Sequence, residues 1–348
     1  MKRTINAAVV LLGLTVGIAW LQAKPQQRPP DTLPTQYTDA EFWRMVTDFS
    51  EPDGPFPYEN FVSNEINYQV VLPEVVRRVA PGGVYLGVAP EQNFTYIAAI
   101  KPKVAFIFDI RRQNLVELLM YKALFEMSAD RGEFVSRLFS RRHATVIGPT
   151  ASSTQLFQQI NAARPDAALY EESLKAIRDR LTKTHQFRLT ADDLDKIGYI
   201  LSVFYKGGPR MDYAYASRSP NASVPSYFNL MIATDRLGNN WSFLANEESY
   251  RFVRAMQQKN LIIPIVGDFA GPKAMKAVGQ YLRERQAAVA VFYISNVEDY
   301  LSASWSNYRA NLASLPIERT GLFIRFVPQQ TLLRSITDVP TRWPGRNW

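Results

Sequence analysis

The chain has 348 residues, 47% hydrophobic and 12% aromatic, enough apolar material for one large α/β domain or two small ones. It has no cysteine and two histidines, His143 and His185, which excludes disulfides, thiolate zinc sites, cysteine nucleophiles and an HExxH metal helix. The formal charge of +8 is spread along the chain instead of gathered with aromatics on one element, so no nucleic-acid partner is expected.

Residues 1–23 begin with Lys2 and Arg3, continue as an apolar run from Ala7 to Leu21, and end on Leu21-Gln22-Ala23, a small-residue cleavage signature. They read as a signal peptide or an N-terminal anchor, the run being shorter than the ~20 residues that span a bilayer comfortably. An exported protein is expected, periplasmic or held to the inner membrane by residues 5–23, with no other membrane contact. Residues 24–38 form a Pro-rich, semi-rigid linker.

The folded domain is expected over residues 39–327. A short amphipathic helix covers Asp39 to Ser50, and a second is expected from Ser63, with Glu65 in its first turn and Pro73 kinking or splitting it. Val84–Val88 and Val104–Ile110 are continuous apolar runs, the mark of strands buried on both faces of a parallel sheet. Asn114 to Phe139 reads as helical, and Ala144 to Gly148 as a third strand. Residues 149–246 lose the alternation of strand and helix and read as a helical insertion that covers the mouth of the sheet. From Asn260 the order strand, Gly-containing turn, helix, strand returns, and Gly321 to Phe326 is the last strand expected. Residues 328–348 read as an irregular tail. The fold class is α/β, with a Rossmann-like, mostly parallel sheet.

Chemistry is expected at the strand ends. Gly87 and Ala89 are small residues after the first strand, and Asp109 closes the second strand where a ribose-binding acid sits in nucleotide folds. Glu91, Gln92 and Asn93 follow the first strand, while Asn64, Glu65, Tyr68 and Gln69 precede it; all are polar groups able to line a pocket. "GDFAGPK", Gly267 to Lys273, combines a strand end, a helix start and a lysine, a ready anion site with Asp268 at its mouth. The competing reading of each motif is an ordinary turn or capped surface helix. No metal site is expected.

"LGVAPEQ", the strand ending in Asp109 and the later "IVGDF" together resemble class I S-adenosylmethionine-dependent methyltransferases, although the two later glycines of their loop are missing here. Residues 40 to 326 resemble a bacterial family of unknown function with a methyltransferase-like fold. The resemblance implies a sheet of methyltransferase type and S-adenosylmethionine as cofactor. Gly87 and Ala89 would face its methionine part and Asp109 its ribose, with Asn64, Glu65, Gln92 and Asn93 around it. Asp268 or Glu91 would orient or deprotonate the acceptor. Two functions follow: a methyltransferase, or a non-catalytic envelope protein that binds another small polar metabolite in the same pocket.

Overall fold

The computed structural model describes residues 30–142, 148–213, 215, 224–327 and 330–345. Its strands are β1 (Val84–Val88), β2 (Val104–Asp109), β3 (Ile262–Val266), β4 (Val289–Ser295), β5 (Ile317–Val327) and β6 (Gln330–Ser335). They form one sheet in the order β3-β2-β1-β4-β5-β6. The first five are mutually parallel, and β6 runs antiparallel to β5. Every residue of β1, β2 and β3 is buried. Their unbroken apolar runs are what a sheet covered on both faces requires. This is a Rossmann-like α/β fold.

Twelve α-helices are present among the described residues: α1 (Asp39–Phe49), α2 (Leu72–Arg78), α3 (Gln92–Ile100), α4 (Arg112–Met127), α5 (Arg131–Phe139), α6 (Ser153–Ala162), α7 (Ala167–Asp179), α8 (Ala191–Gly207), α9 (Tyr227–Ile232), α10 (Glu247–Gln258), α11 (Ala274–Glu284) and α12 (Trp305–Ala313). Helices α3, α4 and α10 pack together, as do α1, α11 and α12, and β3 touches both α1 and α4. The chain builds β1, β2 and β3 outward in one direction, then crosses back through α11 to place β4 beside β1. Direction therefore reverses between β1 and β4, the position at which sheets of this kind open a crevice for ligands.

Two expectations change. The helix from Ser63 is replaced by a 3₁₀ turn, Tyr68–Val71, leading into α2. Pro73 lies in the first turn of α2, where a missing N–H leaves no bond unmade. Ser63 and Glu65 are instead drawn into the core, where both are buried. The tail from Pro328 is not irregular throughout, because β6 pairs with β5 from Gln330 opposite Val327 to Ser335 opposite Leu322. Its half-buried, edge-strand character left no alternation to detect. Beyond it the Trp343 indole donates to the Glu298 carbonyl at 3.0 Å. The strand expected over Ala144 to Gly148 lies, apart from Gly148, outside the described residues, as do residues 1–29. Among the described residues no helix is long and apolar enough to cross a membrane.

Close approach of α11 to α12 depends on one glycine. A Cβ on Gly279 would lie 2.5 Å from the backbone carbonyl oxygen of Ser314, which cannot swing away as a side chain can. Gly279→Ala is therefore expected to destabilise the fold by about 1–3 kcal/mol, measured as a lowered denaturation midpoint. An unchanged midpoint would mean that the two helices can part without loss.

Candidate functional site

At the end of β1 the chain turns sharply, with Ala89 at φ 64°. This left-handed conformation is costly for a residue with a side chain, and Asn93 holds it in place. The Asn93 amide donates to the carbonyls of Val88 (2.9 Å), Ala89 (2.9 Å) and Pro90 (2.7 Å). Its oxygen accepts from the Tyr85 hydroxyl at 2.8 Å. A Cβ on Gly87 would fall on that same Asn93 oxygen. The space a glycine keeps open for a ligand is thus filled by an amide of the protein itself.

The crevice between β1 and β4 is filled in the same way. Glu65 is buried there, accepting from the Tyr293 hydroxyl at 2.9 Å and the Ser295 hydroxyl at 2.5 Å on one oxygen. Its other oxygen accepts from the Gln92 amide at 3.0 Å. Gln92 also donates to the Tyr96 hydroxyl at 2.9 Å and is bonded to the Ser63 hydroxyl. Burial raises the Glu65 pKa above the usual carboxylate range, against the three hydrogen bonds that favour its charge.

The anion site expected at "GDFAGPK" exists and is also taken. Glu51, from the loop after α1, accepts from the backbone N–H of Asp268 (3.1 Å), Lys273 (2.8 Å) and Ala274 (2.7 Å) at the start of α11. A Cβ on Gly271 would collide with that carboxylate. Lys273 turns to the Ser50 carbonyl at 2.9 Å. Asp268 accepts from the Ala270 N–H at 2.8 Å and so shapes the turn. It follows β3, which is an edge strand of the sheet, away from the β1–β4 crevice.

Asp109 is held by Arg111 through two side-chain bonds, 3.0 Å from Nε and 2.9 Å from an Nη, and it accepts the Arg111 backbone N–H at 2.9 Å. Both side chains are buried, so the carboxylate is committed to an internal partner where a ribose was expected. Arg111 also donates to the Tyr58 carbonyl at 3.2 Å and lies over the Phe56 ring, 5.5 Å from its centre. Phe56, Tyr58, Tyr213 and Tyr300 form a partly exposed aromatic rim, with ring centres 5.9 to 6.2 Å apart. Asn64 is exposed and joins none of these groups.

Beneath the rim lie the groups that sequence reasoning missed. Asn114, Glu117 and Tyr121 follow one face of α4 and are buried, as is Tyr227 of α9. Glu117 interacts electrostatically with Glu91, Arg111 and Asp109. Neither Glu117 oxygen, neither polar atom of Asn114 and not Oε2 of Glu91 has a hydrogen-bond partner. The other Glu91 oxygen accepts from the Ser63 N–H at 3.3 Å. Burial, with Glu65 nearby, pushes the Glu91 carboxyl up to about 8, and burial beside Glu91 pushes Glu117 well above the usual range. Burial thus favours the protonated form of both acids. The sequence signal was present as Asn114, Glu117 and Tyr121, polar residues at i, i+3 and i+7 among the apolar residues that run to Phe125.

With this geometry in hand, the sequence matches the family described as "Domain of unknown function (DUF7790)" over residues 60–343, most of the chain. The chain belongs to that family. The match to DUF7790 begins just before Phe61 and takes in Glu65, Glu91, Asp109 and Glu117, whereas Glu51 and α1 lie outside it. No curated protein matches the chain. Among the described residues no group of three or more histidines, aspartates or glutamates is arranged to hold a metal ion.

Two outcomes test this geometry. Asn93→Ala removes one acceptor and the donor to three carbonyls, and is expected to cost about 2–4 kcal/mol in chemical unfolding; a loss within error would show that the β1 turn holds itself. The second concerns pH. Above the ordinary glutamate range the unfolded chain has lost the Glu91 proton, while the folded protein keeps it up to about 8. Stability must therefore fall as pH rises through that window, by up to about 1.4 kcal/mol per pH unit for this group. Glu91→Gln should remove that share of the slope in denaturant titrations, and an unaltered slope would assign the linkage to other groups.

Proposed function

We propose that the protein is a non-catalytic binding protein built on a methyltransferase-type domain that no longer takes S-adenosylmethionine. The type assignment is supported by the strand order, with an antiparallel last strand, and by the acid at the end of β2. The observation that carries the functional reading is self-occupation of the cofactor positions. Asn93 fills the space over Gly87, Glu65 fills the β1–β4 crevice, and Arg111 engages Asp109. A cofactor would have to displace bonded, buried side chains, and each would leave polar partners unpaired at about 1–3 kcal/mol apiece.

The ligand in this reading is a small polar molecule received under the aromatic rim, at the carboxyl ends of β1 and β2. The amino-terminal segment delivers the domain to the cell envelope, either as an export signal or as an anchor. That placement agrees with a site that has given up a cytosolic cofactor. Methyltransferase chemistry, with Glu91 or Asp268 acting on an acceptor, fits less well, because Glu91 is fully buried and Asp268 is spent on a turn.

Calorimetric titration with S-adenosylhomocysteine is the test. No heat and no thermal stabilisation at millimolar ligand are expected. Micromolar affinity, about −8 kcal/mol, would overturn the proposal and restore the methyltransferase reading.

A further inference from the structure

Five buried polar side chains stand apart from the strand-end groups that bond to one another. Glu91, Asn114, Glu117, Tyr121 and Tyr227 come from the β1–α3 turn, from one face of α4 and from α9, and none is more than 1% exposed. Their interactions tie them into one cluster: Glu117 with Glu91, and Tyr121 and Tyr227 each with both acids. The two tyrosine hydroxyls lie side by side and reach no other group.

The donor and acceptor balance of this cluster becomes one-sided once the acids ionise. Glu91 Oε2, both Glu117 oxygens and Asn114 Oδ1 are then unpaired acceptors, and Asn114 Nδ2 and the Tyr121 and Tyr227 hydroxyls are the unpaired groups that can donate. The ligand that complements the ionised acids therefore brings several N–H donors. Anions are disfavoured by the two acids, and the acids are too few for a divalent cation stripped of its water. The walls are aromatic: Phe94, Phe134 and Phe204 stand 5.3 to 6.3 Å from the Tyr121 ring, and Phe139 stands 5.2 Å from that of Tyr227. Such faces attract a cation electrostatically.

We propose that this cluster binds the primary ammonium group of a small organic amine, with Glu117 and Glu91 as its acidic partners. The proposal names the ligand class for the binding function above and rests on that reading. The ammonium donates its three N–H groups to Glu117, to Glu91 Oε2 and to Asn114 Oδ1. Its charge is balanced by release of a proton from the acids to solvent. The other charged groups facing the site are Arg111, which opposes a second cation, and Asp109 and Glu65, which favour one. Arg111 links the two groups: it is bound to Asp109, lies over the Phe56 ring of the rim and interacts with Glu117.

The test uses the full chain with n-butylammonium as probe, and n-butanol and choline as controls. Butanol has the same shape without charge, and choline has charge without N–H donors. Butylammonium at tenfold its Kd should raise Tm by about 3 °C, with release of up to one proton seen by calorimetry in buffers of different ionisation enthalpy. Glu117→Gln, which exchanges an unpaired acid for an amide of the same shape, should weaken binding at least ~10-fold. Tyr227→Phe keeps the ring and serves as the second variant; it should fold as the parent does and bind severalfold more weakly. Equal stabilisation by butanol or choline, or undiminished binding by Glu117→Gln, would overturn the proposal. Stabilisation by neutral sugars or nucleosides alone would overturn it while leaving the binding function intact. Binding of S-adenosylhomocysteine would remove both.

Discussion

The structure around the strand ends depends on the burial of one carboxyl, that of Glu65. Taking a carboxylate out of water costs several kcal/mol unless hydrogen bonds replace its hydration. Tyr293 and Ser295 from β4 and Gln92 from α3 supply those bonds. Because the three donors come from both sides of the β1–β4 fork, satisfying Glu65 draws the loop before β1 into the crevice. Phe61 and Val62 follow it into the core. The helix that the sequence favours from Ser63 is lost to this, since Ser63 now serves Glu91 and Gln92.

Closure of that crevice belongs to a wider pattern. In three places where a Rossmann-like domain offers its backbone to a ligand, a side chain of the protein supplies the group a ligand would bring. Asn93 provides an amide over Gly87, Glu65 a carboxyl at the fork, and Glu51 an anion at the start of α11. The fold gains hydrogen bonds at each and loses an open site. The electrostatic consequence is an accumulation of acids in a small buried volume. Glu65, Glu91 and Glu117 lie there, and Arg111, the cation beside them, is committed to Asp109. Burial disfavours the charged form of each, and at Glu91 and Glu117 the neighbouring acid adds to it, which is what the raised pKa values express.

Much of the fold was legible in the sequence. β1 to β4 were, because strands buried on both faces must be apolar throughout, and few other structures require such runs. β6 was not, because a half-buried edge strand imposes no comparable pattern. The site was legible only as a set of positions. Gly87, Glu65, Glu91, Gln92 and Asn93 do gather at the strand ends, yet a sequence does not say whether a polar group faces a ligand or another side chain. Glu51 illustrates the difficulty, since its partners at Lys273 and Ala274 are more than 200 residues away. Glu117 was hidden for another reason. It sits in a helix so apolar that its neighbours Leu115, Leu118 and Leu119 dominated the reading, although one polar residue amid such a run is the stronger signal.

A neutral, unpaired carboxyl in a core is a poor investment for stability alone. A well-packed hydrophobic residue at Glu117 would avoid the cost of burying a group with no partner, commonly at a gain of 1 kcal/mol or more. Retaining two such acids beside two tyrosine hydroxyls and an amide is therefore better explained by something the groups do when they change charge. A general base in catalysis needs contact with the reacting atoms and with solvent-borne protons, and Glu91 is fully buried. Charge taken up from a bound cation needs neither. It requires only that the acids be neutral when alone and ionised when partnered, and a pKa close to neutrality, as at Glu91, makes that exchange inexpensive in either direction.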